Sequence, residues 1–299
     1  MQAASDSLRR ARPLLGTFVE IAACGAASAD VEAAIEAAFG AVASVHRLMS
    51  FHDPASDVSR LNREAKACVV AVDRWTFEVL AIAEDLHRRS DGAFDIAVAP
   101  VLQDLGFLPA AKYHQGTPSK CNAIDLLPGC QVRFRDPDVR IDLGGIAKGF
   151  AVDRAVEALK EHRVLQGLVN AGGDVAAFGP KPELVHIRDP RDPLRLLGAV
   201  TLVNEALTSS VARCDLIQSL QPTRSAIIDP CTRRAVSAIK GVSVRAPSCV
   251  LADALTKVVM IEGEASRPLL DHYGASALIM LGDNDVRISS NWHEYSLAA

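Results

Sequence analysis

The residues best placed for chemistry lie between Ile141 and Asp153, a stretch reading Ile-Asp-Leu-Gly-Gly-Ile-Ala-Lys-Gly-Phe-Ala-Val-Asp. Arg140 to Leu143 predicts the end of a buried strand, and Gly144 and Gly145 predict a tight turn. From Ala147 the spacing of Phe150, Val152, Val156 and Leu159 predicts a helix. Strand, glycine turn and helix start together leave backbone N–H groups unpaired in a notch that suits an anion. Lys148 would sit in the first helical turn, facing the positive end of the dipole, which is unfavourable unless an anion compensates it. Phosphate is the natural candidate. Gly144 and Gly149 have phosphate-loop spacing, but Phe150 and Ala151 stand where that loop needs Lys and Ser or Thr; Gly-x-Gly-x-x-Gly is also absent. An ordinary strand-to-helix turn accounts for the segment equally well.

The rest of the chain must hold this turn in place. Leu14 to Ile21 predicts a first strand, and Ser28 caps a helix running to about Leu48. A short helix is expected near Val58 to Asn62, and Asp73 caps another long one to Ser90. Ile96 to Leu105 is apolar but of no clear type, and residues 106–121 read as a loop. Strands follow at Ile124 to Leu127 and Val132 to Phe134, then at Leu168 to Ala171 before a second turn, Gly172-Gly173-Asp174. Further short strands are expected from Leu184 to Arg245. Ser248 caps a helix to about Ile261, a second helix covers Glu264 to Tyr273, and a hairpin closes the chain. The pattern is α+β, with two mixed or antiparallel sheets and flanking helices. One domain is expected over 13–290, as one body or two intimate α/β lobes, after a tail over 1–12.

Composition narrows the functional classes. The chain has 299 residues, 49% of them apolar and 23% charged, with a net charge of −4 and no long basic run. Nucleic acid is therefore not an expected partner. Seven cysteines without a Cys-x-x-Cys pair predict mostly buried free thiols, not a disulfide framework or zinc site. Arg9-Arg10 followed by Leu14 to Ala23 and Cys24 imitates an export signal, but Arg12, Pro13 and Glu20 interrupt its apolar core. No stretch is long and apolar enough to span a membrane. The chain as given is expected in the cytoplasm, with export or membrane association only through an upstream leader.

Several segments together resemble the ApbE-type FAD:protein FMN transferases, from about Pro13 to Ile288. They are Leu15-Gly16-Thr17-Phe18, Met49-Ser50 with Ser59-Arg60-Leu61-Asn62, Gly92-Ala93-Phe94-Asp95 and Asp142-Leu143-Gly144-Gly145-Ile146-Ala147-Lys148-Gly149. Asn170-Ala171-Gly172-Gly173-Asp174, Thr208-Ser209, Ile227-Ile228-Asp229-Pro230 and Ala252-Asp253-Ala254-Leu255 complete them. The resemblance implies an enzyme that cleaves FAD, releases AMP and joins FMN to a threonine of an acceptor flavoprotein. It implies FAD contacts at Leu15, His52, Ala93, Phe94, Asp95, Asp142, Lys148 and Ile228. It also implies Mg²⁺ at the Gly145 carbonyl and the Asp253 carboxylate. Leu15, His52 and Phe94 could supply the apolar or flat surfaces an isoalloxazine needs.

From the residues alone, His52 could be a plain loop histidine and Asp95 a helix cap; Asp229 before Pro230 is a turn former, and Met49 is a core residue. The chain departs from the family pattern at four places. Ala226 replaces a histidine that is a candidate general base, Arg233 a glycine, and Ser210 another glycine. Lys257, four residues past Asp253, replaces a metal-binding threonine. Asp253, Lys148 and Lys257 are therefore the expected catalytic group, with Mg²⁺ dependence weakened or partly replaced by Lys257. The alternatives are an FAD pyrophosphatase or a non-catalytic FAD-binding protein.

Overall fold

The structure is a computed structural model describing residues 7–25, 28–109, 120–190, 192–212, 225–236, 238–282, 285–292 and 295–297. A hairpin of β1 (Ser7–Leu14) and β2 (Thr17–Cys24) leads into α1 (Ser28–Met49) and α2 (Asp57–Glu64). Then come β3 (Val70–Ala71), α3 (Arg74–Arg89), α4 (Ala99–Asp104), β4 (Ile124–Leu127) and β5 (Gln131–Phe134). Helix α5 (Ala147–Glu161) precedes β6 (Gln166–Ala171), β7 (Asp174–Phe178), β8 (Glu183–Asp189), β9 (Asp192–Leu202) and β10 (Glu205–Val211). The remainder comprises β11 (Ile228–Asp229), β12 (Arg234–Ala235), β13 (Gly241–Ala246), α6 (Cys249–Glu262), α7 (Arg267–His272), β14 (Ser276–Gly282), β15 (Asp285–Ile288) and β16 (Tyr295–Leu297).

Eight of these strands make one antiparallel sheet in the order β1-β2-β6-β7-β10-β13-β14-β15, with smaller sheets β16-β9-β8, β3-β5-β4 and β11-β12 beside it. Alternation along the large sheet feeds two cores. Ala176, Phe178, Val242 and Val244 face the helices, while Val175, Ala177, Leu207 and Leu278 meet Ile187, Val200 and Leu202 of the β8–β9 sheet. Strand β7 is buried along its whole length because both its faces are covered. Asp174, its first residue, shares the helical face with Ala176 and is 1% exposed, so it needs a charge partner there. Helix α5 lies against β6, β7, α1 and α6, and α6 lies on β10 and β13.

Several expectations change. Strand β1 begins at Ser7, inside the stretch expected as a tail; an edge strand needs no apolar pattern, and Arg9, Arg10 and Arg12 pair with Glu20, Glu32 and Glu36. Arg140 to Leu143 joins no sheet. Its main chain is satisfied by the Asn62 amide, which bonds both N–H and C=O of Ile141 at 2.8 and 2.9 Å, and by Ile96 O, 2.9 Å from Asp142 N. The untyped stretch from Ile96 to Leu105 contains α4. Of the expected loop over 106–121, residues 110–119 lie outside the described ones. Ser248 stands at the start of α6 but caps nothing; Asp153 of α5 accepts from Cys249 N and Val250 N, both at 2.8 Å. Asp73 caps α3 as expected, accepting from Trp75 N at 2.9 Å. The described cysteines are free, but only Cys121 and Cys249 are buried, so the thiols are not mostly interior. No helix among the described residues is long and apolar enough to cross a membrane.

Candidate active site

Two glycine turns set the site. Leu15 and Gly16 join β1 to β2 with φ of 56° and 71°, a conformation that costs a leucine about 1–2 kcal/mol. The Leu15 amide donates to His46 Nδ1 on α1 at 3.2 Å. Gly172 packs against this turn: a Cβ on it would lie 2.6 Å from Thr17 Oγ1, and its φ of 64° independently favours glycine. Asp174 follows, at the start of β7, opposite Thr208 in the β7–β10 register.

At this point α5 and α6 bring in three more charges. Lys148, in the first turn of α5, forms an ion pair with Asp174 and lies 3.7 Å from Asp253 Oδ2. Asp253 is fully buried on α6; its Oδ2 also accepts from Gly149 N at 3.0 Å, and its Oδ1 pairs with the Lys257 ammonium. Lys257 Nζ donates at 2.9 Å to the Asp253 main-chain oxygen, which also accepts from Thr256 Oγ1 at 2.7 Å. Ser210, at one departure from the family pattern, bonds Thr256 Oγ1 at 2.7 Å and so braces the same turn.

Burial alone would favour protonated Asp253, but the ammoniums of Lys148 and Lys257 hold its pKa below the ordinary carboxylate value. Burial likewise opposes charge on Lys148, yet Asp253 and Asp174 outweigh it and raise its pKa. Burial and the charge of Asp253 push Asp174 up to about 6 despite Lys148. The anion expected to compensate Lys148 is thus already present as two carboxylates of the chain. The notch amides are also partly used: Gly144 N donates to Asp142 Oδ2 at 3.1 Å, and Gly149 N to Asp253.

The second half of the site runs along 142, 96 and 52. Burial raises the Asp142 pKa, against the Gly144 N–H and the charge of exposed His52. The bond from Asp142 N to Ile96 O carries the Ala93–Phe94–Asp95 segment alongside. Asp95 accepts from Ala97 N at 2.7 Å and Cys121 N at 3.1 Å; it is not the N-cap of α4, which is Val98. Phe94 is 3% exposed and packs within the main core. Ile228 is also inside, packed with Val101 and Leu102. Asp229 closes its turn by accepting from Cys231 N and Thr232 N, as a structural residue should. Ala226 is exposed and brings no base.

The expected magnesium position does not suit a divalent cation. Mg²⁺ needs octahedral oxygen ligands. Both carboxylate oxygens and the carbonyl oxygen of Asp253 are engaged, and the Lys257 stem covers Gly145, its Cε 3.5 Å from where a Cβ would stand. A second group, His87, Asp95 and Cys121, brings ligand atoms within 4.8 Å of one another. Its atoms are otherwise occupied. His87 Nδ1 lies 3.0 Å from Phe94 O, Asp95 takes backbone amides, and burial with the Asp95 charge keeps Cys121 a thiol. Sequence reasoning missed Asp174 in the site and Asp153 as the residue that caps α6. A charged residue opening an otherwise apolar strand was the available signal for Asp174.

The sequence pattern of the ApbE family matches residues 15–279. The chain is 29% identical over 288 residues to an FAD:protein FMN transferase of Rhodobacter capsulatus, covering 91% of this chain and 54% of that protein. It is 28% identical over 320 residues to one of Treponema pallidum, covering 94% and 86%. The chain thus spans about half the length of the Rhodobacter protein and most of the Treponema one. The crystal structure of the ApbE protein of Thermotoga maritima is similar at a TM-score of 0.82 and 26% identity, over 95% of this chain and 97% of that one. A flavin transferase ApbE from Vibrio cholerae is similar at a TM-score of 0.79 and 22% identity, over 96% and 98%, which is a likeness of fold.

Proposed function

Because the chain belongs to the ApbE family, we propose that it is an FAD:protein FMN transferase acting on a threonine of an acceptor flavoprotein. The observation that carries this reading is the cluster of Lys148, Lys257, Asp174 and Asp253 beside the Gly144–Gly145 turn. It supplies two fixed ammoniums where a pyrophosphate would place its charge. The threonine Oγ–P bond forms at the FMN phosphorus and the P–O bond to the AMP phosphate breaks. AMP leaves with the bonding electrons, and the hydroxyl proton is released.

Lys148 donates to a phosphate oxygen, and Asp253 and Asp174 keep it charged and aimed. Leu15, His52, Ala93, Asp95 and Asp142 form the FAD wall, backed from inside by Phe94 and Ile228. No step is assigned to magnesium, since the Asp253 oxygens are already taken by Gly149 N, Lys148, Lys257 and Thr256.

Incubating the protein with FAD and an acceptor carrying the target threonine tests the reading. Flavinylated acceptor and AMP are expected; free FMN with AMP would show a pyrophosphatase, and intact FAD would show a holder without chemistry. FAD should bind more tightly than FMN. Lys148→Ala should weaken FAD by about 1.5–3 kcal/mol, the cost of a charge-assisted hydrogen bond. It should change FMN affinity far less in a fluorescence titration. Equal losses for both flavins would remove Lys148 from the pyrophosphate.

A further inference from the structure

An Asp and a Lys four apart on a helix usually make an exposed pair of little consequence. Asp253 and Lys257 do not. The carboxylate is fully buried and the lysine side chain only 18% exposed, with its stem over Gly145 and its ammonium on both an Asp253 side-chain oxygen and the Asp253 carbonyl. With Lys148 and Asp174, two positive charges already face two negative ones, so no negative charge is left over to hold a divalent ion. Metal entry would require Lys257 to withdraw from Asp253.

We propose that Lys257 is the resident cation of this site: its ammonium takes the position a divalent metal would hold and stabilises the charge on the departing AMP phosphate, so that FAD cleavage proceeds without divalent metal. The proposal rests on the transferase reading. It needs no change in the reaction's balance, since AMP still leaves with the bonding pair. A lysine ammonium donates up to three hydrogen bonds and has no lone pair, so it can hold Asp253 and a phosphate oxygen together. One tethered charge replaces two mobile ones, and the site needs no metal supply.

The test compares wild type, Lys257→Thr and Lys257→Met in two assays, after thermal melting has shown each to be folded. In the first, equilibrium dialysis without flavin measures Mn²⁺ binding at about 1 mM free ion, with Mn²⁺ standing for a hard divalent cation. Wild type and Lys257→Met are expected to bind none at this site, and Lys257→Thr about one ion per chain. In the second, AMP release from FAD is followed with EDTA and with Mg²⁺. Wild type should change less than about twofold between the two, and Lys257→Thr should lose at least about tenfold in EDTA and regain it with Mg²⁺. Lys257→Met should be slow in both. Stoichiometric Mn²⁺ on the wild type, or wild-type AMP release abolished by EDTA, overturns the proposal while leaving the transferase reading intact. If no protein cleaves FAD under either condition the transferase reading fails, and the dialysis alone then decides whether Lys257 fills the cation position.

Discussion

Gly149→Ala should destabilise the protein by more than about 3 kcal/mol, measured as a fall in the urea midpoint. Gly149 marks the closest approach of α5 to α6. A Cβ there would lie 2.3 Å from Cys249 O, 2.7 Å from Cys249 C and 2.8 Å from Asp253 Cβ. Two of the three atoms are main chain, so no rotamer change relieves the clash and the helices must part. Parting them also stretches the 3.0 Å bond from Gly149 N to Asp253 Oδ2, which is charge-assisted and buried. Gly40→Ala is the contrasting substitution: Gly40 lies in α1 with nothing within 4 Å of a Cβ, so alanine should stabilise by about 0.5–1 kcal/mol. Equal midpoints for Gly149→Ala and wild type would show that the crossing has slack.

Asp153→Ala should cost about 2–5 kcal/mol, since it strands the buried N–H groups of Cys249 and Val250 at the head of α6. The same carboxylate gives stability an unusual dependence on pH. Burial raises its pKa from the ordinary value of 3.8 to about 6, although the two amides and Arg154 pull the other way. Below pH 3.8 both folded and unfolded chains carry the proton. Between that value and about 6 the unfolded chain has lost it and the folded one keeps it, so this group's contribution to stability falls as pH rises. About two pH units at 1.36 kcal/mol each give an upper bound near 3 kcal/mol. Asp153→Asn does not titrate, so the wild type's stability relative to this variant should be greater near pH 4 than near pH 7.5. A gap that is constant, or wider at the higher pH, would show that the carboxylate is ionised throughout.

Local signals carried much of this molecule. Helix α5 is legible from Phe150, Val152, Val156 and Leu159, and the hairpins from their glycines, because those patterns lie within one element. What the sequence hides is the partner that arrives from far along the chain. Lys148 asks for an anion, but nothing local says that Asp174 and Asp253 supply it. Arg140 to Leu143 has strand composition, yet a side chain from α2, Asn62, takes the place of a neighbouring strand. Ser248 has the right identity for a cap and loses the role to Asp153, which comes from another helix. Phe94 looks like a flavin platform by type, and nothing local says that it is 3% exposed in the main core. The Lys257 position is the reverse case: the substitution is plain in the sequence, and the structure adds that the pair is buried.

The clamp between α5 and α6 has a consequence for how the protein breathes. Asp153 ties the head of α6 to α5, and the bond from Gly149 to Asp253 ties them again one helical turn earlier on α5. Neither helix can fray from this end without exposing charges that have partners only in the closed form. Amide protons of Gly149, Cys249 and Val250 should therefore exchange with solvent only through opening of the whole domain, among the slowest in the molecule. The charged centre is stiff by construction, and a substrate entering it must do the adapting.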